Sequence, residues 1–375
     1  MSKGLVSSLN EDWWLQILCG SEGDLHAPSS TENYLLLPNA SDPRVVVDTT
    51  SERAIRDALH RYLALGTRTG ALAGPLAGGF SKVFGKRRRV DWRVSANGQT
   101  LREHLSEILG TDIRLSIAVG RPRLNRKPIV RCYRGAELVA VAKMGPDAHT
   151  AAMVVNEGDW LEKLAKEPLR DVATPEVRYR GTFGTSELLV TNPFVTTNIS
   201  AQELGTIPLS LTRALTARFA TGEPVVDGPW WTDLRARLDG PDTQNFVEII
   251  DELSEDETCR ALQTSLWHGD WSPYNIGTLE DGRHIIWDWE RAAVGVPSGL
   301  DLLHMHCQYG DGLGHAGPGL EQLGIEKASR DCMEIVYTLE IVARHLEADM
   351  FYDDRRRKLE HQTQELLGKS RRSRP

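Results

Sequence analysis

The sequence has no run of about 18 apolar residues, the length a helix needs to cross a bilayer, so no membrane span is expected. It has no Cys-x-x-Cys pair. The five cysteines, Cys19, Cys132, Cys259, Cys307 and Cys332, are odd in number and scattered. That argues against a disulfide framework or a zinc ribbon and for a reducing cytoplasm. The stretch Met1 to Trp14 lacks the continuous apolar segment of a secretory signal: Lys3 is followed by polar Ser7-Ser8 and acidic Glu11-Asp12. A basic surplus is also missing. Lys+Arg is 44 against Asp+Glu 52, a formal net charge of −8 with a pI near 5.8. Nucleic-acid surfaces need the opposite balance, so no nucleic-acid partner is expected, although a local anion site remains compatible. There is no internal repeat and no extended low-complexity tract.

What is present is ordinary globular material: 40% hydrophobic and 26% charged residues over 375 positions. That length fits two to three ordinary domains or one large bilobal unit. The first stretch, to about Asn97, reads as a small α/β region. Tyr34 to Pro38 is a short apolar run, and the β-branched segment Arg44 to Val47 is expected to be a strand. Thr49-Thr50-Ser51-Glu52 has the form of a capping box, a hydroxyl followed three residues later by Glu. Behind it Ala54, Ile55, Ala58, Leu59, Tyr62 and Leu63 form one helical face that ends near Gly66. Residues 66–85 are rich in Gly and Ala, as a linker or a small-residue packing segment would be. The basic run Lys86 to Arg89 reads as a solvated face.

From Gln99 the pattern becomes regular. Leu101, Leu105, Ile108 and Leu109 define a helix closed by Gly110. Ile113, Leu115, Ile117 and Val119 alternate with polar or small residues, as in a half-buried strand. A polar loop, Gly120 to Lys127, carries three arginines. Two strands follow, Pro128 to Tyr133 and Glu137 to Lys143, joined by a turn at Arg134-Gly135. Then come a helix near Ala151 to Ala165 and strands near Val177 to Tyr179 and Glu187 to Val190. From about Ser200 the chain reads as helices, interrupted by a loop-and-strand unit at 266–290. A strand-rich half, a short connector and a helix-rich half make an α+β, bilobal chain.

The chemistry concentrates in His268-Gly269-Asp270-Trp271-Ser272-Pro273-Tyr274-Asn275 and Ile285-Ile286-Trp287-Asp288-Trp289-Glu290. Pro273 forces a loop that can aim Asp270 and Asn275 into one cleft. Asp288 ends an apolar strand that follows a turn at Asp281-Gly282. Phosphoryl transfer needs a group that orients and deprotonates the acceptor hydroxyl, together with oxygen ligands for Mg²⁺ on the phosphates. Asp270 suits the first role, Asn275 and Asp288 the second. The alternative is that Asp270 and Asn275 only satisfy a turn. His268 reads as a positioning residue that bonds nearby backbone, and Asp301 as a structural residue that holds the loop.

These motifs resemble the aminoglycoside phosphotransferase family, relatives of the protein kinases. That family has an H-x-D-x-x-x-x-N loop, an apolar strand ending in D-W-[ED], and then G-x-P-x-x-x-D, matched here by Gly295, Pro297 and Asp301. The resemblance covers about residues 113–350. It implies a protein-kinase-like fold with a β-rich N-lobe at 98–191 and a helical C-lobe at 192–375, preceded by the region 1–97 of unknown role. It also implies that Lys143, in Val139-Ala140-Val141-Ala142-Lys143, holds the nucleotide phosphates. The carboxylate partner of that lysine is expected to be Glu157, with Glu162 as competitor and Gly158 as a weakness in the helix. The Gly-x-Gly-x-x-Gly loop of protein kinases is absent. Gly120 and Asn125 lie in the loop that stands in its place, which is either a phosphate cradle with cationic side chains or a solvated basic loop.

The connector with Asn192 and Phe194 would be the hinge whose backbone bonds the adenine. Only a short stretch separates Asp288 from Asp301 and no Ala-Pro-Glu follows, which favours small molecules over protein substrates. The expected function is an ATP-dependent, Mg²⁺-using kinase for a hydroxyl of a sugar, aminocyclitol or amino alcohol. The alternative is a catalytically idle nucleotide-binding regulatory module. Trp271 and Trp289 could line the acceptor site or belong to the core. His304 and His306, two apart on a helix, are read as no metal site.

Overall fold

The computed structural model describes residues 17–18, 31–37, 43–66, 87–91, 99–119, 125–169, 172–198, 209–240, 243–309, 316–347 and, near the C-terminus, 361, 363–365 and 368. The chain divides into two compact units, one of residues 1–158 and 175–194, the other of residues 159–174 and 195–375. The sequence-derived division at 97 and 191 differs from this one.

The first unit contains β1 (Thr31–Leu37), β2 (Val45–Asp48), α1 (Glu52–Gly66), β3 (Arg87–Asp91), α2 (Leu101–Leu109), β4 (Arg114–Ala118), β5 (Ile129–Arg134), β6 (Glu137–Gly145) and the first part of α3 (Ala148–Lys166). After the two-residue strand β7 (Val172–Ala173) of the second unit, β8 (Val177–Phe183) and β9 (Ser186–Thr191) complete it. One eight-stranded sheet, in the order β3-β1-β2-β4-β5-β6-β9-β8, runs through the unit. Every neighbouring pair in it is antiparallel. β1, β2 and β3, all within 1–97, therefore extend the sheet of the following segment, with β2 paired to β4 through Val46 and Ile117. The basic run read as a solvated face contributes Arg87, Arg88 and Arg89 to strand β3.

The sheet is covered on both faces. One face joins Leu36, Val46, Leu115, Ile117, Val130 and Ala142 to Leu101 and Leu105 of α2. The other joins Leu35, Leu37, Val45, Val47 and Tyr133 to Ala54, Ala58 and Leu59 of α1. β4 is consequently not half-buried as its alternation suggests. Ser116, on its polar side, is buried as well.

The helix starts follow local chemistry. α2 has a capping box in which the Thr100 hydroxyl accepts from the Glu103 N–H and Glu103 reaches back to the Thr100 N–H. α1 is capped differently from the sequence expectation. Ser51 is the cap, its hydroxyl accepting from Ala54 N–H at 3.2 Å. Thr50 is drawn back instead, donating N–H and O–H to Asp48 at 2.8 and 2.6 Å.

The second unit opens with the end of α3 and β7. It continues with β10 (Thr197–Asn198), α4 (Leu209–Arg218), α5 (Pro229–Leu238), α6 (Gln244–Ser254), α7 (Glu257–Arg260), β11 (Thr264–Trp267), β12 (Ile276–Thr278), β13 (His284–Ile286) and β14 (Ala293–Pro297). α8 (Leu300–Tyr309), α9 (Gly317–Gln322) and α10 (Lys327–Glu347) follow. Two small sheets, β10-β12-β13-β7 and β11-β14, sit among these helices. Trp230, Trp231, Trp267, Trp271 and Trp289 are all buried and pack into the core, while Trp287 is half-buried. Cys132, Cys259 and Cys332 are buried free thiols. Among the described residues no helix is long and apolar enough to cross a membrane.

Candidate active site

In the first unit, β6 alternates. From Ala140 on, Ala140, Ala142 and Met144 point into the core on the α2 side of the sheet, which Val139 also packs against where the register to β5 shifts, so Val141 and Lys143 point to the other face. Glu157 of α3 meets Lys143 there, the ammonium donating to the two carboxylate oxygens at 2.7 and 2.6 Å. The carboxylate is nearly enclosed, its side chain 3% exposed against 16% for Lys143. Glu157, not Glu162, is therefore the partner. Gly158, which the sequence marks as a weak point of the helix, has a packing reason. A Cβ there would lie 2.6 Å from Nε of Arg180, whose guanidinium donates to the Val155 carbonyl.

Asn125 sits in the turn before β5, and Gly120 lies outside the described residues. Asn192 follows β9. Its backbone N–H donates to Glu176 O at 2.8 Å. Phe194 is half-buried two residues on.

In the second unit the loop between β11 and β12 is pinned from several sides. Asp301, at the start of α8, accepts the N–H groups of His268 and Gly269 at 2.8 and 3.1 Å. The buried His268 ring accepts from Asp270 N–H on Nδ1 and donates from Nε2 to Trp287 O at 2.9 Å. Burial holds its imidazole below the ordinary value, against the pull of Asp301, Asp270 and Asp288, so it is neutral and can play both parts. Trp271 and Trp289 close its ring edge-on at 5.8 and 4.7 Å. Arg344 of α10 donates to the Gly269 carbonyl at 2.6 Å. Gly269 has φ 83°, and a Cβ there would lie 2.5 Å from the Arg291 carbonyl, so only glycine fits.

Asp270 and Asn275 do meet. The Asn275 amide nitrogen donates to the Asp270 carbonyl and to Oδ2, each at 2.9 Å. β12 and β13 form a hairpin in which Ile276 faces Ile286, and Trp287 N–H donates to Asn275 O at 3.1 Å. Asn275 and Asp288 thus leave the same end of one hairpin. Asp288 has φ 71°, the sole non-glycine among the described residues in the left-handed region, and it opens a 3-10 turn, Trp289–Arg291. The donor set fits a hard divalent cation. The Asn275 nitrogen is committed to Asp270, which turns its Oδ1 away as a neutral oxygen ligand, and Asp288 brings an anionic one.

One group read in the sequence only as no metal ligand has a contact that this reading missed. His304 of α8 stands three residues after Asp301, and its Nε2 lies 3.3 Å from Asp270 Oδ1. Burial pushes the Asp270 carboxyl up, but the hydrogen bond from His304 works against it, and the group lies below its usual range. The signal was available as Asp-x-x-His on a helix, the spacing that puts both side chains on one face.

No protein-family description matches the sequence, and no curated protein is similar to it. Among solved structures, choline kinase LicA from Streptococcus pneumoniae is similar at 13% identity, with a TM-score of 0.50, over 72% of this chain and 98% of that one. LicA in complex with AMP matches at 11% identity and a TM-score of 0.50, over 72% of this chain and 96% of that one. The chain has the protein-kinase-like fold of these small-molecule kinases. The aminoglycoside phosphotransferase APH(2'')-Ib, ADP-bound, matches at 13% identity with a TM-score of 0.47, over 71% of this chain and 95% of that one.

Proposed function

We propose that the chain is an ATP-dependent kinase for a hydroxyl of a small molecule, a sugar, aminocyclitol or amino alcohol. The observation that carries this reading is the loop and hairpin that hold an ionised Asp270, the Asn275 amide oxygen and Asp288 together. A protein-kinase-like fold with the Lys143–Glu157 pair supports it, as does the AMP bound by one of the similar structures.

The roles follow from the chemistry. Asp270 accepts the proton of the acceptor hydroxyl as the oxygen forms its bond to the γ-phosphorus. The bond from that phosphorus to the bridging oxygen breaks, and ADP leaves with the electron pair. Asn275 and Asp288 would hold Mg²⁺, which when bound neutralises charge on the phosphate oxygens. Lys143, aimed by Glu157, binds phosphate oxygens. The backbone at Asn192 and near Phe194 receives the adenine, and Asn125 contributes to the phosphate site.

The test is ADP release from Mg-ATP against a panel of sugars, aminocyclitols and amino alcohols, with Asp270→Asn as the control. Acceptor-dependent release that falls by about 10²–10⁴-fold in the Asn variant is expected. Nucleotide binding with no turnover on any acceptor would favour the idle regulatory module, and absence of binding would sink both readings.

A further inference from the structure

His304 and Tyr337 belong to no step of the chemistry above, yet His304 contacts its base and Tyr337 contacts His304. Both are buried, His304 on α8 and Tyr337 on α10. The His304 ring bridges two partners. Its Nε2 lies 3.3 Å from Asp270 Oδ1, and its Nδ1 lies 3.2 Å from the Tyr337 hydroxyl. Asp301, three residues earlier on the same helix, holds the backbone of the same loop. One face of α8 therefore grips the loop twice, by its main chain through Asp301 and by its reactive side chain through His304.

The proton positions follow from the donor inventory. An ionised carboxylate can only accept, so the proton facing Asp270 belongs to Nε2. A neutral imidazole carries one N–H, which leaves Nδ1 as an acceptor, and the Tyr337 hydroxyl must donate to it. The opposite tautomer would set a lone pair of Nε2 against a carboxylate oxygen. The charged and titratable groups around the ring agree with a neutral state. Burial lowers its basicity, Asp270 opposes that, and the guanidiniums of Arg344 and Arg291 add to it. The Tyr337 hydroxyl also faces Cys307 and Gln308, and burial keeps it protonated.

We propose that His304 is the positioning residue of the base: Tyr337 locks its tautomer, and its Nε2–H fixes one oxygen of Asp270 while Asn275 fixes the other. With a donor on each oxygen the carboxylate plane cannot rotate, and the remaining lone pairs keep one direction toward the acceptor hydroxyl. The role of Asp270 as base rests on the function proposed above; the hydrogen-bond arrangement does not.

The experiment therefore has two independent arms. The first is the ring-nitrogen NMR spectrum of histidine-labelled full-length protein at neutral pH, the His304 signals among the 11 histidines being identified by their loss in His304→Gln. A protonated Nε2 and an unprotonated Nδ1 are expected, and Tyr337→Phe should mix the tautomers. A protonated Nδ1 in the wild type would overturn the proposal. The second arm is steady-state kinetics on the acceptor found in the screen. His304→Leu should lower kcat by about 10- to 100-fold, less than the loss expected on removing the base itself, with KM for ATP unchanged. His304→Gln, whose amide can still donate to Asp270, should recover most of that loss. Wild-type kcat in the Leu variant, or a Gln variant as poor as Leu, overturns the role. Should the wild type turn over no acceptor, the kinase reading fails, and the ring-nitrogen spectrum alone decides the arrangement.

Discussion

Asp288 combines two demands at one position. Its backbone is left-handed, which costs most side chains roughly 1–2 kcal/mol but is tolerated by Asp and Asn, and its carboxylate is the expected metal ligand. The two demands can be separated. Asp288→Asn keeps the local backbone preference and removes the charge, so it should melt near the wild type while losing Mg-dependent nucleotide affinity. Asp288→Ala should lose the affinity and in addition about 1 kcal/mol of stability. Calorimetric titration of Mg-ATP, with thermal melts of both variants, checks this; unchanged affinity in the Asn variant would remove Asp288 from the site. His104 offers a pH test in the first unit. Its ring packs against Phe183 and Tyr179 at 5.3 and 6.1 Å. Burial lowers its pKa, opposed by Glu107 and the Thr182 carbonyl. A depressed imidazole favours the folded state fully above the unfolded value of 6.5, and that stability is lost as pH falls through the folded value. Melting temperature should therefore drop as pH falls below about 6.5, and drop less in His104→Phe. At this scale the sequence was readable where motif spacing fixes neighbours, as for His268, Asp270, Asn275 and Asp301. It was silent on His304–Tyr337, because that pair exists only once α10 packs against α8.

The Lys143–Glu157 pair depends on a strand of period two and a helix of period 3.6 arriving in phase. The positions of β6 and α3 were legible from apolar patterning, and the pairing followed from geometry the resemblance supplied. The energetic ordering is a further consequence. Glu157→Gln keeps an acceptor for Lys143 but loses the charge, a cost of about 1 kcal/mol. Lys143→Met leaves a buried carboxylate without its ammonium and should cost more, about 3 kcal/mol. Denaturant titration of the two variants gives the order, and equal losses would mean the ion pair is worth no more than its packing. Helix caps were only partly legible. Thr100 and Glu103 lie at capping-box spacing yet went unread, and the box assigned to Thr49–Glu52 gave way to Ser51 because Asp48 captures Thr50. Strand β3 was hidden as well, since three consecutive arginines carry no alternating signal.

Across the whole molecule, the α+β order was visible in the sequence, but the place of residues 1–97 was not. Sheet pairing between segments far apart leaves no local pattern, and β2 joins β4 across about seventy intervening positions. A chain starting near Val94 would lose β1, β2, β3 and α1. It would bare the β4 edge and the face that carries Tyr133. We expect that shortened chain to be insoluble beside a soluble full-length protein. A soluble, nucleotide-binding product would show that the missing strands are dispensable. The buried thiols carry a last consequence. Cys132 lies in the sheet core of the first unit, its pKa pushed up to about 12 by burial. Cys259 lies in the second, raised by its neighbour Cys332 and then by burial. Neither can be alkylated in place, because a protonated, enclosed sulfur is no nucleophile. Each becomes a clock for its own unit. The rate at which iodoacetamide marks Cys132 or Cys259 counts how often that unit opens, so one native-state reaction, read by mass spectrometry, can time the two halves of the chain separately.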